Sequence, residues 1–329
     1  MKKFLLIGGL GFVGKNLSKY LSELDFDIHV IDLKDPSVEE HKFIDEYSIT
    51  YKRGDVNSVE FLKRIFQSNR FDGVYHLASQ VGIKNYISNP EDVIMTTMLG
   101  TLNVANACIE NNTHMLFTST SEALGKNLAT PWKEDADRVY GSSDIERWSY
   151  GSSKGVAEQL ILGMSKTKGL SATIIRFFNI YGNHQNPIFV VPKSISNCMN
   201  NKSPLLYDSG KQTRCFTYVI DALKALEILM HEQKQGIYHI GSNFEHTMEE
   251  VISSVIKLTN PNLKPEIFNT LEKYKGTYED IQRRVPDVTK IYKDIGWNAT
   301  TNLEQGLKKT IEWVEQNEWW LEQDSSTEI

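Results

Sequence analysis

Three evenly spaced glycines near the amino terminus constrain the fold of this chain more than any other feature. Gly8, Gly11 and Gly14 lie between the apolar run Lys3–Ile7 and a segment whose apolar residues recur at helical spacing. Glycine at these positions lets the chain turn sharply, lets the backbone approach a ligand and lets a helix pack closely on a strand. The amino terminus of that helix also attracts negative charge. The segment therefore predicts a strand, a turn and a helix that together bind the pyrophosphate of a dinucleotide.

Further apolar runs, separated by amphipathic segments, extend this pattern over the first half of the chain. The predicted strands are Lys3–Ile7, Ile28–Asp32, Ile49–Arg53, Gly73–Leu77, His114–Ser119 and Ala172–Phe178. The predicted helices follow Gly14 and cover Val59–Phe66, Val93–Ile109 and Val156–Met164. Strands that alternate with helices indicate a parallel sheet covered on both faces. We therefore predict an α/β fold of Rossmann type, a doubly wound parallel sheet.

The second half of the chain is less regular, because prolines interrupt it repeatedly. Helical patterns remain at Ile188–Met199, Val219–His231, Met248–Leu258 and Leu303–Glu315. We predict a cofactor domain over residues 1–181 and a smaller mixed α/β domain over residues 182–329 that mainly binds the substrate. Some segments of the second domain are expected to return to the first sheet.

Composition limits the classes of partner. The net charge is −6 and no long block of Lys or Arg occurs, which favours neither nucleic acid nor an anionic membrane as a partner. The three cysteines form no C-x-x-C pair and the histidines are scattered, so we expect reduced thiols and no metal site. No uninterrupted apolar run approaches the roughly 20 residues of a membrane span, and glycines break the first apolar run where a signal peptide would continue. We expect a cytoplasmic protein.

Acidic residues after the second and third predicted strands refine the choice of cofactor. Asp32 lies 18 residues after Gly14, where a carboxylate accepts hydrogen bonds from the ribose of NAD and repels the additional phosphate of NADP. NAD is therefore the expected cofactor. Asp55 and Val56 would lie beside the adenine, although Asp55 has the alternative role of capping the following helix.

Tyr150 and Lys154 form the candidate catalytic pair. Their spacing of four places them on one face of a helix, one turn apart. A neighbouring cation stabilises a phenolate and would lower the pKa of Tyr150, so that the phenol could remove a hydroxyl proton while a hydride leaves for NAD. Tyr207 and Lys211 have the same spacing, but the residues between them predict a turn.

A run of hydroxyl and carboxyl side chains, Ser119-Thr120-Ser121-Glu122, ends the fifth predicted strand. In a parallel sheet of this kind, such side chains face the crevice beyond the carboxyl ends of the strands. The alternatives are that a Ser or Thr caps a helix and that Glu122 is an ordinary surface residue. The position after a strand end favours a part in catalysis.

In this order along the chain, these motifs resemble the extended short-chain dehydrogenase/reductase family of nucleotide-sugar enzymes, from Gly8 to about Gly296. The resemblance implies an NAD-dependent enzyme that oxidises C4 of a nucleotide-linked sugar to a ketone. Thr120-Ser121-Glu122 is the form typical of UDP-glucuronate decarboxylases, including UDP-xylose synthase. The 4,6-dehydratases usually have Thr-Asp-Glu there, and C4 epimerases usually lack the glutamate.

Two further segments are similar to those of the decarboxylases. Arg147-Trp148-Ser149-Tyr150 resembles the start of their tyrosine helix, and Arg284-Val285-Pro286-Asp287 resembles the segment that carries their catalytic arginine. We therefore expect decarboxylation of UDP-glucuronate. A C4 epimerase is the main alternative, followed by a dehydratase, because all three need the same Thr120, Tyr150 and Lys154 core.

The resemblance assigns roles to particular residues. The implied catalytic residues are Thr120, Ser121, Glu122, Tyr150, Lys154 and Arg284. The implied cofactor contacts are Gly8, Gly11, Phe12, Val13, Gly14, Asp32, Asp55, Val56, Leu77, Ala78, Tyr150 and Lys154. The implied contacts to a UDP-sugar are Lys84, Arg176, Asn179, Arg214 and Arg284.

Several positions depart from the family pattern. Ala123-Leu124-Gly125 stands where relatives usually have Val-Tyr-Gly, and Ile7, Thr97 and Asn183 replace the usual threonine, asparagine and proline. A member without catalytic activity, which senses NAD, is an alternative of another class. The intact Tyr150 and Lys154 pair argues against that alternative.

The resemblance also implies a homodimer. Relatives usually pair through the helix that bears the catalytic tyrosine and through the helix after the fourth strand, here about Asp92–Asn111. That second helix is more apolar than one covered face requires.

Overall fold

The computed structural model describes residues 1–269 and 281–323, with the side chains of Ile83 and Lys84 outside the described set. Its strands up to residue 181 are β1 (Lys3–Ile7), β2 (Asp27–Asp32), β3 (Thr50–Arg53), β4 (Gly73–His76), β5 (His114–Thr120), β6 (Ala172–Phe177) and β7 (Ile180–Tyr181). The later strands are β8 (Leu205–Tyr207), β9 (Thr213–Cys215), β10 (Thr217–Tyr218), β11 (Gly236–Ile240), β12 (Glu245–Thr247), β13 (Glu266–Phe268) and β14 (Arg283–Arg284).

Capping side chains define the starts of several helices. The helices of the described residues are α1 (Phe12–Ser22), α2 (Val38–Glu46), α3 (Val59–Ser68), α4 (Ile83–Ser88), α5 (Pro90–Glu110), α6 (Trp148–Lys168), α7 (Val190–Met199), α8 (Val219–His231), α9 (Met248–Thr259), α10 (Thr289–Ile295) and α11 (Leu303–Glu315). Ser37, Thr247 and Asn302 each begin a capping box. The side chain of the capping residue accepts a hydrogen bond from the backbone N–H three residues later, and the side chain of that later residue accepts one from the backbone N–H of the cap.

Seven parallel strands form the main sheet, in the order β11-β6-β5-β4-β1-β2-β3. The six strands predicted from the sequence all occur, each end within one residue of the prediction. Strand β11 comes from the second half of the chain and pairs with β6 at the edge of the sheet. The predicted doubly wound α/β fold is confirmed, whereas the domain boundary at residues 181 and 182 stays a prediction.

Both faces of the main sheet are buried along β1, β4, β5 and β6, which explains why these strands read as continuous apolar runs, whereas β3 at the edge is mostly exposed. Along β1, Leu6 packs with one hydrophobic core and Leu5 and Ile7 with the other, as alternating side chains require. Helices α1, α8, α9 and α11 contribute to the first core, and α3, α5 and α6 to the second.

Helix α5 has 21 residues and is apolar enough, by length and composition alone, to cross a bilayer. The sequence predicted this helix as Val93–Ile109 but not a segment of membrane-span length, because polar residues interrupt its apolar residues. In the structure, α5 packs against α6, α3 and the sheet, and Val104, Ala105 and Cys108 are buried in the second core. Part of the apolar surface of α5 therefore belongs to the hydrophobic core of this fold.

Short strands of the second half form three small sheets. These pair β7 with β10, β8 with β13, and β9 with both β12 and β14. In the third sheet, Arg284 on β14 is the register partner of Arg214 on β9. The sheet thus brings together two arginines that are 70 residues apart in the chain.

Candidate active site

The glycine loop between β1 and α1 packs tightly against neighbouring backbone. A Cβ on Gly8, whose φ is +82°, would lie 2.6 Å from Cα of Ala78, and a Cβ on Gly14 would lie 2.5 Å from Cα of Gly9. Gly11 precedes the first turn of α1, which contains Phe12 and Val13. The loop therefore accepts only glycine at its tightest points and leaves its backbone and the start of α1 open toward a ligand.

Asp32 lies beside this loop, as the sequence predicts. Its Oδ2 accepts a hydrogen bond of 3.0 Å from the backbone N–H of Leu10. The backbone N–H of Leu77 donates to the carbonyl of Ile7, so the segment after β4 lies next to the loop as well. The carboxyl ends of three neighbouring strands thus surround one crevice that fits a dinucleotide.

Asp55 does not cap α3, which removes one of its two predicted roles. Ser58 is the cap and accepts from the N–H of Phe61, while Asp55 accepts 2.9 Å from the N–H of Asn57 within its own loop. Val56 is buried against α5, near Gly100. The contact of Asp55 and Val56 with the adenine stays a prediction.

Lys154 is buried beneath the crevice. Its Nζ donates 2.7 Å to the carbonyl of Thr118 and lies 4.5 Å from the ring centre of Phe117. Burial lowers the pKa of Lys154 to about 7, with the charge of Glu158 acting in the opposite direction. The ammonium is therefore close to its titration point at neutral pH.

Tyr150 does not have the lowered pKa that its spacing from Lys154 predicts. Burial, and next the charge of Glu122, raise the pKa of Tyr150, while hydrogen bonding to Ser79 and Thr120 acts in the opposite direction. The prediction is wrong for this structure because the ammonium of Lys154 is directed to a backbone carbonyl of β5. The ring of Tyr150 stacks on that of Tyr86, with centroids 4.8 Å apart and planes 4° apart.

The turn after β5 packs directly against the start of α6. A Cβ on Gly151 would lie 2.5 Å from the carbonyl oxygen of Glu122, so the glycine between Tyr150 and Lys154 permits this contact. Thr120 accepts 3.2 Å from the N–H of Glu122 and so caps the short 3-10 helix Ser121–Leu124. Thr120 therefore caps this helix, and the same contact fixes its side chain near Tyr150, while its part in catalysis stays a prediction.

Glu122 lies between two guanidinium groups. Nη1 of Arg147 is 2.5 Å from Oε2 of Glu122, and Nη1 of Arg284 is 3.5 Å from Oε1. The same Arg284 nitrogen is 3.5 Å from Oγ of Ser121. Burial alone would raise the pKa of Glu122, but Arg147 and Arg284, with a smaller contribution from Arg214, lower it to about 2. Glu122 is therefore a carboxylate at any physiological pH.

A second loop holds Arg284 in place. The N–H of Trp132 donates to the carbonyl of Val285, and the N–H of Asp287 donates back to the carbonyl of Trp132. The β14 segment is thus held between β9 and this loop. The predicted catalytic residues Ser121, Glu122 and Arg284 therefore meet in one place.

Arg176 does not lie at the substrate crevice, which corrects its predicted role. It lies within β6, and its Nε and Nη2 donate to the two carboxylate oxygens of Glu158 at 2.9 Å and 2.7 Å. Its Nη1 donates to the carbonyl of Glu134. Ser119 also donates to Glu158, so its hydroxyl is directed into the core rather than to the crevice. Glu158 thus joins β5, β6 and α6.

The remaining predicted substrate contacts are Arg214, Asn179 and Lys84, which lie on different segments of the chain. Arg214 is buried, and its Nη1 donates 2.8 Å to the carbonyl of Thr213. Asn179 lies between β6 and β7 with a φ of +38°. The side chain of Lys84 lies outside the described residues. Contacts of these three with a substrate stay predictions.

Sequence reasoning missed Arg147, Tyr86 and Ser79 as members of this site. Arg147 immediately precedes α6 and lies three residues before Tyr150, a helical spacing that would have indicated a shared face. Tyr86 comes from the short helix α4, which no apolar pattern predicted.

The chain is similar to several known nucleotide-sugar enzymes. The family model for GDP-mannose 4,6-dehydratase matches residues 5–310. The UDP-N-acetyl-α-D-glucosaminuronate decarboxylase of Bacillus cytotoxicus is 35% identical over 96% of this chain and 99% of that protein. The UDP-glucuronic acid decarboxylase 1 of Danio rerio is 30% identical over 95% of this chain and 72% of that protein. The UDP-glucose 4-epimerase of Thermotoga maritima, solved with UDP-glucose, superposes with a TM-score of 0.85 at 25% identity, over 96% of this chain and 99% of that one.

The chain therefore belongs to the extended short-chain dehydrogenase/reductase family of NAD-dependent nucleotide-sugar enzymes. This membership confirms the predicted family, the predicted enzyme class and NAD as the cofactor. The family includes decarboxylases, dehydratases and epimerases, so membership alone does not determine which reaction this chain catalyses.

Proposed function

We propose that this enzyme decarboxylates a UDP-linked hexuronate through a ketone at C4 of the sugar. The observation that carries the proposal is the ionised Glu122 beside Arg284 at the end of β5. A guanidinium in this position suits a substrate carboxylate, because both groups are planar and bind through paired, charge-assisted hydrogen bonds. The two relatives named as UDP-hexuronate decarboxylases support the same substrate class.

The state of Glu122 argues against dehydration. Loss of water from C6 requires an acid that protonates the leaving hydroxyl. A carboxyl group whose pKa is held at about 2 has no proton to give at neutral pH. Ser121 stands beside it as a hydroxyl, which is a far weaker acid.

The chain's own residues account for the steps of decarboxylation. Tyr150 accepts the proton of the C4 hydroxyl as a phenolate, a form that its raised pKa disfavours in the free protein and that the positive charge of bound NAD would stabilise. Thr120 orients that hydroxyl. NAD, when bound, accepts the hydride from C4. The sugar is then a β-keto acid, so the bond between C5 and C6 breaks and its electrons pass to the C4 oxygen as carbon dioxide leaves. Arg284 and Ser121 orient the carboxylate for that step, and protonation at C5 completes it.

Mass spectrometry of products tests the proposal. Purified enzyme with NAD is incubated with UDP-glucuronate, UDP-N-acetylglucosaminuronate and UDP-glucose in separate reactions. We expect one of the two uronates to lose its carboxyl carbon as carbon dioxide. A product epimerised at C4 with all carbons retained would contradict the proposal and favour an epimerase. Bound NAD without turnover of any of the three would favour a sensor.

A further inference from the structure

Glu40, on the first turn of α2, binds two lysines that lie close to the cofactor loop. Its Oε1 accepts 3.2 Å from Nζ of Lys15, on α1, and 2.6 Å from Nζ of Lys34, two residues after Asp32. Its Oε2 accepts 3.0 Å from the backbone N–H of Ser37, the capping residue of α2. The side chain of Glu40 is 8% exposed, so these contacts hold a buried carboxylate between α1 and the loop after β2.

Glu40 is ionised in this position. Burial alone would raise the pKa of its carboxyl group, but hydrogen bonds from Lys34 and Ser37 and the charge of Lys15 lower it. Lys15 is itself buried, whereas the side chain of Lys34 is 51% exposed. Of the two lysines, Lys34 is therefore the one that a bound cofactor could reach if Glu40 did not hold it.

Asp32 carries a negative charge that neighbouring cations leave unpaired. In the part of the chain that the structure describes, no lysine or arginine side chain pairs with Asp32. Its carboxylate accepts from backbone N–H groups instead, at 3.0 Å from the glycine loop and at 3.4 Å from Lys34. Arg53, at the end of β3, pairs with Asp35 at 2.7 Å. The full charge of Asp32 therefore faces the ribose that it is expected to bind.

We propose that Glu40 strengthens the preference of this enzyme for NAD over NADP, because it holds Lys34 away from the site of the adenine ribose. NADP carries a further phosphate on the 2′-oxygen of that ribose, with a charge of about −1.5 to −2 at pH 7. A free lysine beside Asp32 would attract that phosphate and offset the repulsion by the carboxylate. Glu40 is thus a positioning residue that acts through Lys34. The inference concerns the cofactor and is independent of the reaction at the sugar.

Competition between the two cofactors measures this preference. The purified enzyme is equilibrated with NAD and NADP together, and the cofactor that stays bound after rapid gel filtration is extracted and quantified by liquid chromatography. The bound ratio, divided by the free ratio, gives the ratio of the two dissociation constants. Contacts common to both cofactors, misfolded protein and cofactor retained from purification all cancel once exchange is complete.

Glu40→Gln should lower the preference for NAD about tenfold at low ionic strength. Glutamine can still accept from the backbone N–H of Ser37 and keep the capping box, but it no longer holds Lys34 by charge. Glu39→Gln is the matched control, because it removes the same charge from the same turn of α2. Glu39 pairs with Lys42 at the surface, 3.8 Å away, so its loss should change the ratio by less than about twofold.

Lys34→Met separates release of Lys34 from a general change in charge. In the wild type this substitution should change the ratio little, because Glu40 already holds the lysine, whereas in Glu40→Gln it should restore the preference for NAD. The double variant Lys15→Met with Glu40→Gln keeps the net charge of the wild type and leaves no buried lysine without its carboxylate. It still frees Lys34 and should therefore lower the preference, and it replaces Glu40→Gln if that variant does not fold.

Two results would overturn the inference. One is an unchanged ratio in Glu40→Gln, or in its double variant with Lys15→Met, even where stability falls, since Glu40 would then be a structural residue alone. The other is an equal effect of Lys34→Met with and without the carboxylate of Glu40, since Glu40 would then not control that lysine.

Discussion

Arg176 and Glu158 form a buried ion pair with two parallel hydrogen bonds, of 2.9 Å and 2.7 Å, that joins β6 to α6. Both side chains are less than 5% exposed. Glu158 lies one helical turn after Lys154 and raises the pKa of that lysine against the effect of burial. The ion pair therefore holds α6 against β6, and its carboxylate influences the charge of Lys154.

Replacing Arg176 should reduce stability rather than substrate affinity. Arg176→Met leaves the carboxylate of Glu158 buried without its guanidinium, and breaking such a pair costs about 3–5 kcal/mol. Urea denaturation should show this loss, while the KM for the UDP-sugar changes little. Arg283→Met is the matched control, because Arg283 pairs with Glu245 at the surface and should lose only about 0–1 kcal/mol. A large rise in KM without loss of stability would instead indicate that Arg176 contacts the substrate.

Lys154 should make stability depend on pH above neutrality. Burial lowers its pKa from 10.5 to about 7 in the folded protein. Between these two values the unfolded chain binds more protons at this position than the folded chain, so the free energy of unfolding rises as pH increases. Below about pH 7 both states are protonated, and the dependence disappears.

A comparison with Lys154→Met isolates this effect. The difference in unfolding free energy between wild type and variant should become more favourable to the wild type from about pH 7 to pH 9, since other titrating groups cancel. A difference that stays flat over this range would mean that Lys154 keeps its ordinary pKa in the folded state.

Asp32 should determine the preference for NAD over NADP. Asp32→Asn keeps an oxygen that can accept from the N–H of Leu10 but removes the charge that repels a 2′-phosphate. Calorimetry should therefore show a smaller preference for NAD in the variant, with the loop intact. Equal affinities of the wild type for the two cofactors would contradict the assignment.

Exposed apolar side chains on α5 and α6 support the predicted homodimer. These are Ile94, Met95 and Leu99 on α5 and Val156 and Leu162 on α6, each 39–48% exposed. We expect a dimer mass by light scattering at micromolar concentration, and Leu99→Glu should shift it toward the monomer. Leu128→Glu is the control, since Leu128 is 94% exposed in a loop outside both helices. A monomeric wild type would rule out this interface.

The cofactor half of the fold could be predicted closely from the sequence. Its central strands are apolar runs buried on both faces, and glycines mark a loop where side chains do not fit, so pattern and structure coincide. The strands around Arg214 and Arg284 are two or three residues long, too short for any periodicity to show. Their pairing depends on contacts between distant segments, and only the resemblance indicated Arg284.

The two errors at the site have physical causes. The resemblance implied a contact between Arg176 and the substrate, but its place within β6 directs its side chain to Glu158 on α6. The pKa of Tyr150 was predicted from helical spacing alone. Spacing gives the shared face but not the direction of the long lysine side chain, which reaches the carbonyl of Thr118.

Separate measurement of hydride transfer and carbon dioxide release tests the central claim most directly. Stopped-flow absorbance follows reduction of NAD, and carboxyl-labelled UDP-glucuronate or UDP-N-acetylglucosaminuronate reports carbon dioxide. Tyr150→Phe should abolish both signals, because no base remains for the first step. Glu122→Gln and Arg284→Ala should slow release of carbon dioxide by roughly 10²–10⁴, because Arg284 orients the carboxylate and its ion pair with Glu122 holds it in position, while reduction of NAD is affected less. If these two variants lose both signals equally, or if the wild type reduces NAD and releases no label, the account of this enzyme as a decarboxylase is contradicted.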